Sequence, residues 1–125
     1  MHKTLVGMCL VGLLIVGGCS SKDDSSSTAT PAAACQSIVQ EACSKFFGCF
    51  TKEQLTALAG TVGNNEADCR DKFEQAQCSA QMLKCDSGMS YSQSKASECL
   101  SQFKALSCAE FGNGTSPAAC DAVCQ

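Results

Sequence analysis

The chain has little of what many enzymes and nucleic-acid-binding proteins require. It contains no tryptophan and a single histidine, His2, among 125 residues. Nine basic side chains stand against twelve acidic ones and form no basic stripe, which argues against nucleic-acid binding. Because His2 precedes the predicted cleavage site described below, the mature chain has no histidine for a Ser-His-Asp or Cys-His arrangement.

The apolar run Thr4–Val16 is too short to cross a bilayer, which requires about 20 apolar residues. Its length and the preceding Lys3 are typical of a signal-peptide core. The sequence therefore predicts export from the cytoplasm.

The end of this run resembles the lipobox of bacterial lipoproteins, with the sequence Val16-Gly17-Gly18-Cys19. The motif predicts cleavage before Cys19 and transfer of a diacylglycerol group to its thiolate. Two or more acyl chains would then make a stable membrane anchor. By resemblance to lipoproteins, Ser20 in the next position favours the outer membrane. An ordinary signal peptide with an incidental cysteine is the alternative.

Three regions follow from these signals. Residues 1–18 are predicted to be the signal peptide, and 19–33 a lipid-anchored polar tether. The sequence from Ser20 to Ala33 is rich in Ser, Thr and Asp and has no apolar period, so it cannot offset the entropy of ordering. A recognition tail is the alternative interpretation. Residues 34–125 are predicted to form one cysteine-rich helical domain.

Cysteine is the dominant feature of that domain. Cys9 lies in the signal peptide and Cys19 is the lipidation site. Ten cysteines remain, namely Cys35, Cys43, Cys49, Cys69, Cys78, Cys85, Cys99, Cys108, Cys120 and Cys124. An even number in an oxidising compartment predicts up to five structural disulfides. A core this small and poor in aromatics would be marginal without them.

Thiolate metal binding and redox catalysis are the alternatives for these cysteines. Zinc sites and oxidoreductases commonly use C-x-x-C pairs, and the domain has none. The closest pair is Cys120 and Cys124, separated by three residues. We therefore predict no metal, no cofactor and no catalytic residue.

Apolar spacing predicts an all-α bundle of about four to five helices and no sheet. In the first helix, an inward stripe comprises Cys35, Ile38, Val39, Ala42 and Phe46. A capping box from Thr51 to Gln54 opens the second helix, and Gly60 ends it. The expected helices cover residues 34–48, 51–60, 65–86, 92–107 and a last one opened by Ser116 and Pro117.

The spacing Cys-x₃-Phe-x₄-Cys occurs twice, from Cys69 to Cys78 and from Cys99 to Cys108. Nine residues turn a helix by about 900°, so the two cysteines of each pair face opposite sides. Each helix must then bridge two neighbours, or its second cysteine must lie beyond the helix end. A chance repeat is the alternative. Antiparallel packing of the first and third helices would favour Cys49 with Cys69, and Cys35 or Cys43 with Cys78.

Eight residues in the second half of the domain form one spaced pattern: Cys85, Gly88, Tyr91, Ala96, Cys99, Leu100, Phe103 and Cys108. This pattern resembles one in cysteine-rich lipoproteins of the myxobacterial type. The spacing of the cysteines upstream, from Cys43 to Cys78, is similar to that family too. The resemblance implies a secreted helical domain and no particular activity.

Few other residues suggest chemistry. Three acidic residues, Glu66, Asp68 and Asp71, could act as acid and base in a hydrolase. The alternative is that they stabilise the start of a helix, because negative side chains interact favourably with the helix dipole there. Tyr91 is either a binding residue or a packing plug, and an exposed Phe47 would indicate a binding patch. We expect a non-enzymatic cell-envelope lipoprotein, a binding or structural module attached to the membrane by its lipid, with an unidentified protein partner. A thiolate metal-binding lipoprotein is the alternative.

Overall fold

The computed structural model describes residues 27–81 and 83–125. The predicted signal peptide, the lipidation site Cys19 and most of the tether lie outside the described residues. Within the described part, no helix combines the length and the apolar character that a membrane span requires.

The described residues form an all-α fold, as predicted, with four longer helices and two short ones. Their bounds are α1 Pro31–Cys49, α2 Lys52–Val62, α3 Glu66–Gln77, α4 Gln93–Ala105, α5 Cys108–Gly112 and α6 Ala118–Asp121. The described residues contain no strand, and a single antiparallel bridge joins Tyr91 to Cys124.

Side-chain caps set the helix starts. Thr51 and Gln54 form the predicted capping box of α2, and Asn65 caps α3 by accepting the N–H of Asp68. Thr30 caps α1, and Pro31 occupies its first turn. The fold therefore begins before Ala34, the first domain residue expected from the sequence.

The end of α2 differs from the prediction. Gly60 lies within the helix on its exposed side, and Gly63 terminates it with φ of +85°. A Cβ at Gly63 would lie 2.6 Å from Asp68 Oδ2, so both backbone angle and space require glycine there.

The third helix ends at Gln77, well before the predicted end near Asp86. Cys69 and Cys78 both bond to α1, and a continuous helix would direct them to opposite sides. The helix therefore has to stop at Cys78, which is its C-cap residue. The second cysteine of this repeat lies beyond the helix end, which is one of the two arrangements predicted.

Two differences lie near the C-terminus. No helix was predicted between residues 107 and 116, but Cys108–Gly112 forms α5, which Ser107 and Glu110 open with a capping box. In α6, Pro117 is the N-cap residue, and the helix ends at Asp121. Cys120 and Cys124 do not share a helix face, because Cys124 lies in the bridge to Tyr91.

The longest helix, α1, is central to the fold. It packs against α2, α3, α4 and α5, while α6 packs on α4. One buried cluster joins α1, α2 and α3 through Val39, Cys43, Val62 and Cys69. Phe47 packs against this cluster and is half-buried, so it is not the exposed patch considered from the sequence.

Five disulfides join all ten cysteines of the domain. The pairs are Cys35/Cys78, Cys43/Cys69, Cys49/Cys108, Cys85/Cys124 and Cys99/Cys120, with Cα–Cα distances of 4.6–5.8 Å. The two bonds between α1 and α3 run in opposite directions along the helices, which is the antiparallel arrangement considered from the sequence. Of the two partners considered for Cys78, Cys35 and Cys43, the bond is to Cys35.

The expected pairing of Cys49 with Cys69 is wrong, since Cys69 pairs with Cys43. On α3 the two cysteines are separated by nine residues, or about 13 Å along the axis. On α1 the distance from Cys35 to Cys43 is about 12 Å, whereas Cys49 is about 21 Å away. Only Cys43 matches the spacing of the partner helix.

Candidate apolar binding cleft

A half-open cleft of about 460 Å³ lies over one face of α1. Helices α3 and α4 both pack on α1, but within the described residues no Cα atom of one lies within 8 Å of a Cα atom of the other. The gap between them is the cleft, and its volume lies in the range of small-molecule sites, about 300–1,000 Å³.

The floor of the cleft is the first three turns of α1. Pro31, Ala34, Ile38, Val39 and Ala42 line it, over about 16 Å of helix axis at 1.5 Å per residue. Spacings of three and four residues align these side chains on one face. Two of them are alanines, whose short side chains leave room above the helix.

The walls come from both flanks. Phe73 of α3 and Phe103 of α4 line opposite sides, and α4 also contributes Ala96. Leu83 and Val123 line the cleft from the loop after α3 and from the C-terminal segment. Both phenylalanines, Leu83 and Val123 are half-buried, so these large apolar side chains keep part of their surface open.

Stacked and edge-on phenylalanine rings link the two walls beyond Ala42. Phe46, one turn after Ala42, lies 6.1 Å from Phe73 and 5.0 Å from Phe111 between ring centroids. Phe111 in turn lies 5.9 Å from Phe103. These rings connect α3 to α4 through α1 and α5 at the end of the cleft near Ala42.

Disulfides hold the other walls. Both sulfur pairs of the C-terminal segment, Cys85/Cys124 and Cys99/Cys120, contribute to the lining. The Ser92 N–H donates to the Val123 carbonyl at 2.8 Å, which fixes the same segment beside Tyr91. Disulfides and backbone hydrogen bonds therefore stabilise this side of the cleft, where few residues are fully buried.

Tyr91 lines the cleft and secures the N-terminal segment. Its hydroxyl donates to the Thr28 carbonyl at 2.7 Å, and burial raises the pKa of the phenol. Thr28 is buried and its hydroxyl bonds to that of Ser97, while Ser37 donates to the Ser27 carbonyl. Of the two interpretations of Tyr91, the contact with Thr28 gives the hydroxyl a packing role, while the ring lines the cleft.

One charged side chain lines the cleft, that of Lys84. It is exposed, and among the described residues it makes no ion pair or hydrogen bond. Among the described residues, Gln77 is the other exposed polar residue at the rim, and none of the lining side chains is a carboxylate. The cleft therefore combines an apolar interior with a single positive charge at its edge.

The predicted acidic candidates lie elsewhere and serve the start of α3. Glu66 accepts a hydrogen bond from the Ser44 hydroxyl at 3.1 Å, and Asp68 accepts the Asn64 N–H at 2.9 Å. Asp71 is exposed. None of the three lines the cleft.

The predicted metal-ligand alternative required free thiolates. All ten cysteines of the domain are instead paired as disulfides, and a disulfide sulfur is not a thiolate ligand. In residues 27–81 and 83–125, no cluster of three His, Cys, Asp or Glu side chains has the arrangement of a metal site.

The apolar stripe predicted for α1 includes Cys35, Ile38, Val39 and Ala42, which all line the cleft, but it did not include Pro31 or Ala34. The stripe was predicted as an inward face and not as the floor of a cleft. Apolar periodicity identifies the face of a helix that is shielded from water. The same pattern arises whether that face packs against another helix or lines a cleft. Lys84 gave no signal in the sequence.

Comparisons of the chain with protein-family models, with curated proteins and with solved structures find no match. The resemblance to cysteine-rich lipoproteins thus stays a prediction, and the function has to be inferred from the site.

Proposed function

We propose that this protein is a non-enzymatic lipoprotein of the cell envelope, anchored through Cys19, whose domain binds a small apolar ligand in the cleft over α1. The observation that carries the proposal is the cleft itself, which keeps large apolar side chains partly open in a domain with very little buried core. Burying an apolar ligand there would gain about 25 cal/mol per Å² of apolar surface removed from water.

The five disulfides support the extracytoplasmic part of the proposal, because such bonds persist in oxidising compartments. They also fix the walls of the cleft in the absence of ligand. A preformed site loses little conformational entropy on binding, which favours a binding role. The thiolate metal-binding alternative is disfavoured because all ten cysteines of the domain are in disulfides, which leaves no free thiol among them to act as a ligand.

Binding can be tested with an uncharged naphthylamine probe whose fluorescence rises in apolar surroundings. The protein is the chain from Ser20 onward, exported with a cleavable signal, which includes every described residue. We expect saturable binding of one probe, weakened at least tenfold by Ala42→Leu, because the added side chain fills the cleft floor.

Ala57→Leu is the matched control, because Ala57 is exposed on α2 and lies outside the cleft. It should leave probe binding unchanged. Equal effects of the two substitutions, or no saturable binding to the unsubstituted chain, would refute a binding role for the cleft.

The anchor is tested separately with the full chain in a bacterial host supplied with an alkyne-labelled fatty acid. Label should enter the protein, be lost with Cys19→Ala, and fractionate with the outer membrane. Retention of the label in the Cys19→Ala variant would contradict the assigned lipidation site.

A further inference from the structure

We infer that the ligand of the cleft is a single-chain anionic amphiphile of the fatty-acid class, with its hydrocarbon chain along α1 and its carboxylate beside Lys84. This inference rests on the proposed binding function and adds the chemistry of the ligand. It joins two observations made within the described residues, namely the elongated apolar interior and the rim cation Lys84, which makes no ion pair or hydrogen bond there.

The shape of the interior favours a chain over a compact ring system. The floor extends for three turns of one helix, about 16 Å at 1.5 Å per residue. The side chains along it are hydrocarbon from Pro31 to Ala42, interrupted only by the sulfur of Cys35. An extended alkyl chain would meet apolar surface over this whole length.

The positive charge of Lys84 at the rim favours a negatively charged headgroup on the ligand. The mature chain would carry twelve acidic and eight basic side chains, since Lys3 is lost with the signal peptide. In spite of this acidic balance, the described residues that line the cleft include Lys84 and no carboxylate. Opposite charges attract and like charges repel at such short range, so an anionic head is favoured over a cationic one.

The Tyr91 hydroxyl does not compete for the headgroup. It already donates to the Thr28 carbonyl at 2.7 Å, with a second, longer contact to the Thr30 carbonyl. Lys84 has no such partner in the described part of the chain, and its ammonium group offers three donors. A carboxylate can therefore bind it without breaking an existing contact.

The test compares dodecanoate, dodecanol and dodecylammonium, which share one chain and differ in head charge. Dodecanoate and dodecylammonium are titrated below their critical micelle concentrations, and dodecanol below its solubility limit, into the chain from Ser20 onward, with displacement of the naphthylamine probe as the readout. We expect dodecanoate to bind about two- to fivefold more tightly than dodecanol, the range of an exposed ion pair, and dodecylammonium to bind most weakly.

Lys84→Gln should abolish the preference for dodecanoate while leaving dodecanol unchanged, and added salt should reduce the same preference. Lys52→Gln is the matched control, because Lys52 is exposed and lies outside the cleft. It should preserve the order of the three ligands.

Binding of the three heads with equal affinity, or a preference that survives Lys84→Gln, would overturn this inference and leave the proposed binding function intact. Failure of all three amphiphiles and of the probe to bind would overturn both. If the lipidated mature protein rejects dodecanoate while the unlipidated chain binds it, the anchor's own acyl chain is the occupant, and a free fatty acid is not.

Discussion

The hydroxyl of Tyr91 donates a hydrogen bond to the carbonyl of Thr28, 63 residues earlier in the chain, at 2.7 Å. The contact ties the residues before α1 to the loop that opens α4. It therefore determines where the N-terminal segment enters the domain, next to the N-terminal end of the cleft floor at Pro31.

Replacement of Tyr91 by Phe should remove this bond and keep the ring. We expect a loss of about 0.5–1.5 kcal/mol in the free energy of unfolding, the usual net value of one hydrogen bond. Urea unfolding measures the loss, and hydrogen exchange should show faster opening of residues 27–30 than in the unsubstituted chain. Unchanged exchange there would show that the bond does not hold the segment.

Alkaline pH should weaken the fold through the same residue. Burial raises the pKa of Tyr91 above its usual value in the folded chain, so the unfolded state releases the phenolic proton first. The stabilising contribution is complete below the unfolded pKa of about 10 and is lost as pH rises through the folded pKa. Unfolding by urea across this range should show a decline that is smaller in Tyr91→Phe.

Acid should weaken the capping box of α5. Hydrogen bonds from the Ser107 hydroxyl and backbone N–H lower the pKa of Glu110. The contribution is present above the unfolded pKa of about 4.3 and is lost as pH falls through the folded value. The amide protection factors of α5, which correct for the slower intrinsic exchange at low pH, should fall with acid in the natural chain, while Glu110→Gln should show no such step because its side chain does not titrate.

Two glycines at the end of α2 should respond in opposite ways to alanine. Gly63→Ala should destabilise the fold by about 1–3 kcal/mol, because φ is +85° and the new Cβ would meet Asp68. Gly60→Ala should stabilise it by up to about 1 kcal/mol, since Gly60 is helical and has open space around it. Thermal unfolding of the two variants compares them directly, and a shift in the same direction would contradict this account of the turn.

The Cys43/Cys69 and Cys85/Cys124 disulfides should differ in their effect on ligand binding. Replacing both cysteines of either pair by Ala should cost about 3–4 kcal/mol by loop entropy. Cys43 and Cys69 are completely buried and lie outside the cleft, so their loss should reduce stability and preserve probe affinity. Loss of Cys85 and Cys124 should weaken probe binding as well, because both line the cleft.

Local signals in the sequence predicted much of the fold. The side chains of Thr51, Gln54 and Asn65 make the caps that their types and spacing indicate, and apolar periodicity identified the helices from α1 to α4. These features depend on residues a few positions apart, so they can be inferred without knowledge of the tertiary structure.

Features that depend on distant partners were missed. The early end of α3 follows from the bond between Cys78 and Cys35, and the pairing of Cys69 follows from the axial spacing of two helices. The cleft requires that α3 and α4 flank α1 without packing against each other, and no local pattern encodes that arrangement. Lys84 becomes a candidate for ligand binding only because the fold places it at the rim of the cleft.

The most direct test of the account is the methyl NMR signal of Ile38 during a titration with dodecanoate. Ile38 is the one isoleucine in the chain from Ser20 onward and lies in the middle of the cleft floor, so isoleucine methyl labelling gives a single assigned signal. We expect that signal to shift saturably with one equivalent of ligand. In the Ala42→Leu variant, we expect much weaker binding and a much smaller shift. A signal that does not move while dodecanoate binds would contradict it, because the ligand would then occupy some other surface.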